Sequence, residues 1–222
     1  MNPEVEPARV ILVDKPYGWT SFQAVKKVKF GLKSKKIGHA GTLDPLATGL
    51  LIMCTGKMTK SIESIQSQEK EYTGTFFLGE TTPSFDLETT SDQIYPIEHI
   101  TSKLIEETVL TFLGETDQTP PLFSAIKVQG QRAYDIARKG GDAVLKSRKI
   151  LIKEFVITRF EMPEIDFRIV CSKGTYIRSI ARDFGLKLNS GAYLKALRRT
   201  KIGDYLVENA LHPQDVKSES VD

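Results

Sequence analysis

Apolar and polar residues change rhythm several times along this chain, and each change marks an element. Residues 8–13 form an apolar run that reads as a strand. Thr20 with Gln23 three positions later is a capping-box pattern. It predicts a helix in which Phe22, Val25 and Val28 face inward and lysines face out. The run 49–54 fits a buried strand, and 72–78 alternates as a half-buried strand does, stopping at Gly79. The polar segment 81–92 reads as a loop, and 98–112 as a helix with Ile100, Leu104 and Phe112 inward. Residues 150–160 and 167–171 look like paired strands across a turn at 162–164. Residues 175–188 are amphipathic, with Ile177, Ile180, Ala181 and Phe184 inward, and 193–202 reads as the last strand. Strands mixed with helices, without regular βαβ alternation, predict an α+β fold with a largely antiparallel sheet.

Between 119 and 146 the pattern is short and broken: Pro120–Pro121, a brief strand at 124–128, a Gly130 turn and a short helix around 133–138. It reads as an excursion from the main body. The tail from Asp215 is polar and expected to fray.

Composition narrows the class. The chain has 222 residues, 40% of them hydrophobic and 27% charged, the mix of an ordinary globular protein. It contains no apolar run long enough to span a bilayer, and residues 1–10 are not a secretory signal. Cys54 and Cys171 sit in apolar surroundings and are expected to be buried thiols of a reducing cytoplasm. His39, His99 and His212 form no metal-ligand spacing, so no metal is expected. Net charge is only +3, but the lysines and arginines cluster. Lys26, Lys27, Lys29, Lys33, Lys35 and Lys36 form one group. Arg138, Lys139, Lys146, Arg148 and Lys149 form a second, and Lys195, Arg198, Arg199 and Lys201 a third. A single charge run is usually a solvated face, whereas three beside candidate site segments favour a polyanionic partner.

The chemistry concentrates at 38–51, GHAGTLDPLATGLL, which looks too irregular for a plain helix or strand. It holds three glycines, His39 and one acid, Asp44, with Pro45 fixing φ just after it. A carboxylate on such a loop is placed by the backbone, as a nucleophile or base requires. The same residues fit a tight turn with an Asx-type aspartate equally well.

Five further segments resemble the motifs of the TruB-type tRNA pseudouridine synthases, in order, from Val13 to Gly203. VDKPYGWTSF (13–22) is similar to that family's N-terminal motif, and EYTGTFFLGETTPSFD (71–86) to its tyrosine motif. TPPLFSAIKVQGQRAYDIARKG (119–140) resembles its RNA-gripping insert. VCSKGTYIRSIARDFG (170–185) looks like its arginine motif, and AYLKALRRTKIG (192–203) its closing strand.

The resemblance implies a pseudouridine synthase fold: a curved mixed sheet flanked by helices, with a central active-site cleft. It implies one catalytic domain over residues 1–222 with an insert at about 119–148. The small C-terminal RNA-binding (PUA) domain that many members carry is not expected, since only nineteen residues follow Gly203. The implied substrate is the T-loop uridine at position 55 of tRNA, held by its T-loop and T-stem. A stand-alone bacterial-type enzyme is expected, monomeric and cytoplasmic, with no cofactor, no metal and no membrane contact.

By the same resemblance Asp44 is the catalytic acid, Arg178 its cationic partner and Tyr72 the active-site tyrosine. His39 is expected to fill the space a flipped base vacates, and Leu197 to line the uracil pocket. Lys15 and Pro16 match the family's KP pair, shaping the site floor. In the insert Lys127, Gln129, Arg132 and Tyr134 are expected to close over the RNA. The isomerisation exchanges no electrons overall and donates no group, so one carboxylate near the anomeric carbon suffices. An arginine suits as its partner because it stays charged and can engage a carboxylate bidentately. A pure RNA-binding protein would not need Asp44, Tyr72 and Arg178 together. A glycosidase would need two flanking carboxylates where the loop offers one.

Overall fold

A computed structural model describes residues 7–124, 127–128, 130–138, 141 and 145–217. In chain order the elements are β1 (Val10–Lys15), α1 (Ser21–Gly31), β2 (Ile37–Ala40), β3 (Ala47–Thr55), α2 (Ile62–Ser67), β4 (Lys70–Leu78), β5 (Glu80–Thr81) and β6 (Gln93–Ile94). There follow α3 (Ser102–Leu110), β7 (Gly114–Gln118), β8 (Lys127–Val128), β9 (Gln131–Arg132), α4 (Ala133–Arg138), β10 (Arg148–Glu161), β11 (Glu164–Cys171), α5 (Ile177–Lys187), β12 (Ala192–Ile202) and β13 (Tyr205–Leu206). The fold is α+β with mixed, mostly antiparallel strand pairing. The chain divides into two compact units: Met1–Thr73 with Leu197–Asp222, and Gly74–Ala196.

In the first unit β3 is central. It pairs antiparallel with β1 along one edge, from Val10 opposite Cys54 to Lys15 opposite Gly49. On its other edge β2 runs antiparallel beside residues 52–55, and β12 runs parallel beside Ala47, Thr48 and Gly49. Nearly every β3 side chain is buried because both its faces are covered. Leu51 and Met53 meet Ile11, Val13, Ala24, Val28 and Val216 on one side. Leu50, Ile52 and Cys54 meet Ala40, Ile65, Ile202 and Val207 on the other.

Helix α1 begins where the capping box places it. The Thr20 side chain accepts from the Gln23 amide, and the Gln23 side chain accepts from the Thr20 amide. Its buried face differs from the one expected. Ser21, Ala24 and Val28 face the sheet, Val25 is half-buried, and Phe22 is 73% exposed. The small Ala24 lets the helix lie close to β3, which rotates Phe22 outward.

In the second unit the strand order is β4, β11, β10, β7. The expected hairpin forms between β10 and β11, with register irregularities between Ile152 and Glu154 and between Ile157 and Arg159. Its core is aromatic. Phe76 lies 4.2 Å from Phe167 between ring centroids and 5.8 Å from Phe184, while Phe112 and Phe155 complete the cluster. Helix α5 buries Ile177, Ile180, Ala181 and Phe184 as its periodicity predicts. Helix α3 is shorter than expected because the Thr101 side chain caps it by accepting from the Leu104 amide. Ile105 and Val109 are therefore its inward residues, while Leu104 is only half-buried.

Strand β12 is not the last, since β13 pairs back onto it. Cys54 and Cys171 are buried thiols with no disulfide between them. No described helix is long and apolar enough to cross a membrane.

Replacing Phe76 by Ala removes a fully buried ring from the aromatic cluster. The variant should be about 3–5 kcal/mol less stable in denaturant unfolding. A loss below about 1 kcal/mol would mean that the neighbouring rings do not depend on it.

Candidate active site

The segment around Asp44 is more regular than its composition suggests, because β2 claims residues 37–40 and β3 begins at Ala47. Only residues 41–46 are irregular, and several of their backbone groups are held by hydrogen bonds. On the N-terminal side Ser21 Oγ accepts from the Leu43 amide and donates to the Leu43 carbonyl, both at 2.9 Å. The Asp44 carbonyl accepts from the Ala47 amide at 3.1 Å. The Pro45 carbonyl accepts from the Gly18 amide at 2.9 Å and from Lys15 Nζ at 3.3 Å. The half-buried Asp44 is thus carried on a turn held from both flanks.

Lys15 is fully buried at the end of β1. Its ammonium also donates to the Pro16 carbonyl at 3.0 Å and the Trp19 carbonyl at 2.6 Å, which ties the 16–19 turn to the Asp44 turn. Burial pushes its pKa down to about 8, against the attraction of the Asp44 carboxylate and with the repulsion of Arg199. The predicted floor residue is therefore a buried cation within the electrostatic reach of Asp44.

Arg199, placed in the sequence only within a basic cluster, has a second and larger role. It is 1% exposed. Its Nε donates to the Leu50 carbonyl at 2.8 Å and its Nη2 to the Gly41 carbonyl at 2.9 Å. One guanidinium therefore spans both ends of the segment that carries Asp44. Gly49 makes room for it: φ is 101°, and a Cβ there would lie 2.3 Å from the Arg199 carbonyl oxygen. The Arg-Arg pair in 192–203 hinted at such a residue, but only the parallel pairing of Arg199 with Gly49 distinguishes it from Arg198. Arg198 instead forms a two-pronged ion pair with Asp14 at 2.9 and 2.6 Å.

His39 lies in β2 with its Nε2 3.1 Å from Thr42 Oγ1. Burial, with the Arg199 charge adding to it, pushes its pKa below the usual histidine value, so the ring is neutral at pH 7. Tyr72 is buried in β4, where the neighbouring Glu71 carboxylate accepts from Thr200 Oγ1 at 2.7 Å. Leu197 is half-buried on β12 opposite Ala47, the first residue after the Asp44 turn. Lys15, His39, Asp44, Tyr72 and Leu197 all belong to the first unit.

The remaining predicted residues belong to the second unit. Arg178 is buried in the first turn of α5. Its Nη2 donates to the Phe123 carbonyl at 2.9 Å and its Nη1 to the Ser84 carbonyl at 3.3 Å, while Nε lies 3.5 Å from the Asp86 carboxylate. Asp86, the last residue of the tyrosine-motif segment, is thus a buried acid beside Arg178 that sequence reading passed over. Lys127 and Arg132 pair through their backbones across the Gly130 turn. Their side chains lie outside what the structure describes, as do residues Gln129 and Lys139. Tyr134 donates to Glu88 at 2.7 Å. Among the described residues no group of acids, histidines and cysteines could hold a metal ion.

Residues 28–177 match the model of the TruB family pseudouridylate synthase N-terminal domain. The chain belongs to the TruB family. It is 63% identical over 219 residues to tRNA pseudouridine synthase B of Flavobacterium johnsoniae, covering 95% of this chain and 96% of that one. It is 54% identical over 208 residues to tRNA pseudouridine synthase B of Phocaeicola vulgatus, covering 91% and 88%. Among solved structures it resembles a chain in the crystal structure of a Cbf5–Nop10–Gar1 complex, with TM-score 0.73 and 28% identity over 94% of this chain. It spans about half, 53%, of that solved chain. A chain in an H/ACA RNP bound to a substrate RNA containing 2′-deoxyuridine gives TM-score 0.69 at 26% identity.

Arg199→Ala would orphan the Gly41 and Leu50 carbonyls. Two charge-assisted hydrogen bonds at about 1.5–3 kcal/mol each give an expected loss of about 3–6 kcal/mol, read by urea unfolding. A variant as stable as the parent would show that the guanidinium is dispensable to the turn.

Lys15 gives a signature in pH. With a folded pKa of about 8 and an ordinary value of 10.5, the unfolded chain holds the extra proton between those values, so this lysine's contribution to stability rises with pH across that window. The unfolding free energy of the parent relative to Lys15→Met should therefore climb between about pH 8 and pH 10.5. A flat difference would mean that the ammonium keeps its proton throughout.

Proposed function

We propose that this chain is a tRNA pseudouridine synthase that isomerises the T-loop uridine at position 55 of tRNA. It works as a monomeric, cytoplasmic, single catalytic domain whose insert at 119–148 grips the RNA. The observation that carries this reading is the held Asp44 turn in a chain 63% identical, over almost its whole length, to a tRNA pseudouridine synthase B. The chains of the Cbf5–Nop10–Gar1 complex and of the H/ACA RNP share the fold at lower identity, 28% and 26%, so the stand-alone reading follows the more similar relative.

The target nucleotide leaves its stack and enters the site, at a cost of a few kcal/mol that stacking and polar contacts offset. Asp44 supplies the carboxylate at the anomeric carbon. The bond from that carbon to N1 of uracil breaks, the base turns, and a bond to C5 forms. The proton displaced from C5 is balanced by one gained at N1, so nothing is oxidised and no outside group is consumed. Arg178 keeps Asp44 ionised under the desolvating base. Tyr72 offers a ring for stacking and a hydroxyl for proton transfer. The neutral His39 occupies the space the base leaves, and Leu197 lines the uracil pocket. Lys15 holds the floor, and Lys127 and Arg132 contact the RNA.

Asp44→Asn should bind an unmodified tRNA transcript normally while losing turnover by orders of magnitude, scored by pseudouridine at position 55. Arg178→Lys, which keeps a charge beside the buried Asp86, should fold normally and also lose most activity. Near-normal turnover in Asp44→Asn, or a parent protein that shifts tRNA in a gel and leaves every uridine unchanged, would refute the proposal.

A further inference from the structure

Of the three basic clusters in the sequence, the third is largely engaged within the protein, as are Arg148 and Lys149 of the second. In the third, Lys195 pairs with Glu164, Arg198 with Asp14, and Arg199 is buried. In the second, Arg148 donates to the Gly174 carbonyl and lies over the Tyr176 ring, and Lys149 lies 3.4 Å from Asp117. The first cluster differs. Lys26, Lys27, Lys29 and Lys33 are exposed, and none forms an ion pair with a described residue. No acid occurs between Asp14 and Asp44 to neutralise them.

The misplaced aromatic of α1 belongs to the same surface. At 100° per residue, Phe22, Lys26, Lys29 and Phe30 project within about one third of the helix circumference. That face is opposite the one that packs on β3. Phe22 is 73% and Phe30 83% exposed. Exposed phenylalanines carry a hydration penalty that a solvated lysine face does not need. Their interleaving with cations is the pattern of a surface that stacks bases while neutralising phosphates. The strip also starts at the site: Ser21, next to Phe22, holds Leu43, next to Asp44. From there the 11-residue helix extends about 16 Å.

We propose that the Phe22–Lys26–Lys29–Phe30 face of α1 is an RNA-docking strip, taking the backbone and an accessible base of the same folded RNA whose uridine reaches Asp44. This rests on the tRNA pseudouridine synthase reading and adds to it a binding surface outside the reacting groups. A basic, aromatic helix could instead lie on an anionic membrane. Lysines set between the two rings oppose that, because seating both rings in lipid would carry Lys26 and Lys29 below the headgroups.

The test uses the full chain with Lys26→Gln/Lys29→Gln and Phe22→Ala/Phe30→Ala, all changes at exposed positions. Binding to an unmodified tRNA transcript is measured by anisotropy across a salt series, and pseudouridine formation gives kcat and KM. The lysine pair should raise KM and Kd about tenfold, leave kcat within about twofold, and reduce the slope of log affinity against log salt by about two. The phenylalanine pair should weaken binding about tenfold with the salt slope unchanged. Parent-like affinity in both variants would overturn the proposal, as would a fall in kcat at unchanged KM. Binding of the parent to phosphatidylglycerol vesicles that the variants lose, with RNA affinity unaltered, would assign the strip to membranes and overturn it too. Because Kd is read directly, the strip remains testable even if the parent forms no pseudouridine, and that second failure would fall on the enzymatic reading alone.

Discussion

A guanidinium buried in the first unit organises most of what surrounds the candidate catalytic acid. Arg199 cannot shed its charge, so its burial is tolerable only if backbone oxygens replace the water it lost. The oxygens it takes are those of Gly41 and Leu50, on either side of Asp44. That choice propagates. Residue 49 must lack a side chain, because the Arg199 backbone passes where a Cβ would stand. Burial lowers the basicity of His39 and Lys15, and the same positive charge adds to both shifts. Ser21, Gly18 and Lys15 then hold the Leu43 and Pro45 backbone groups of the turn. The Asp44 side chain is thus set by a frame of main-chain contacts rather than by a flexible loop.

The second unit repeats the device with different parts. Arg178 is buried beside Asp86 and caps two loop carbonyls, Ser84 and Phe123. A desolvated ion pair of this kind is poor evidence of stability in itself, since well-packed apolar residues can do as well or better. What the contacts to Asp86, Ser84 and Phe123 do is hold the guanidinium in a fixed place. Through Phe184 the aromatic cluster of Phe76, Phe112, Phe155 and Phe167 packs against the helix that carries Arg178.

Charge distribution changed meaning once the fold was known. Among the described residues, lysines and arginines that look alike in sequence separate into a clamp, several internal ion pairs and an open face on α1. Local sequence carries no mark of this sorting, because it depends on which acid or carbonyl the fold brings alongside. Asp14 lies 184 residues from Arg198, and Gly41 lies 158 residues from Arg199.

Local signals along the chain specify several elements outright. The capping box started α1, the long apolar run made β3, and the spacing of Ile177, Ile180 and Phe184 set the inner face of α5. The motif matches, spread along the chain, were enough to indicate the TruB family, and the role of Asp44 proposed above rests on them. Packing between distant segments chose which side of α1 is buried, because the small Ala24 packs on the sheet where periodicity favoured Phe22. The same packing made Arg199 rather than Arg198 brace the turn, and set Asp86 beside Arg178. Each of these depends on pairing between segments far apart in the chain, and residue spacing holds no record of such partners.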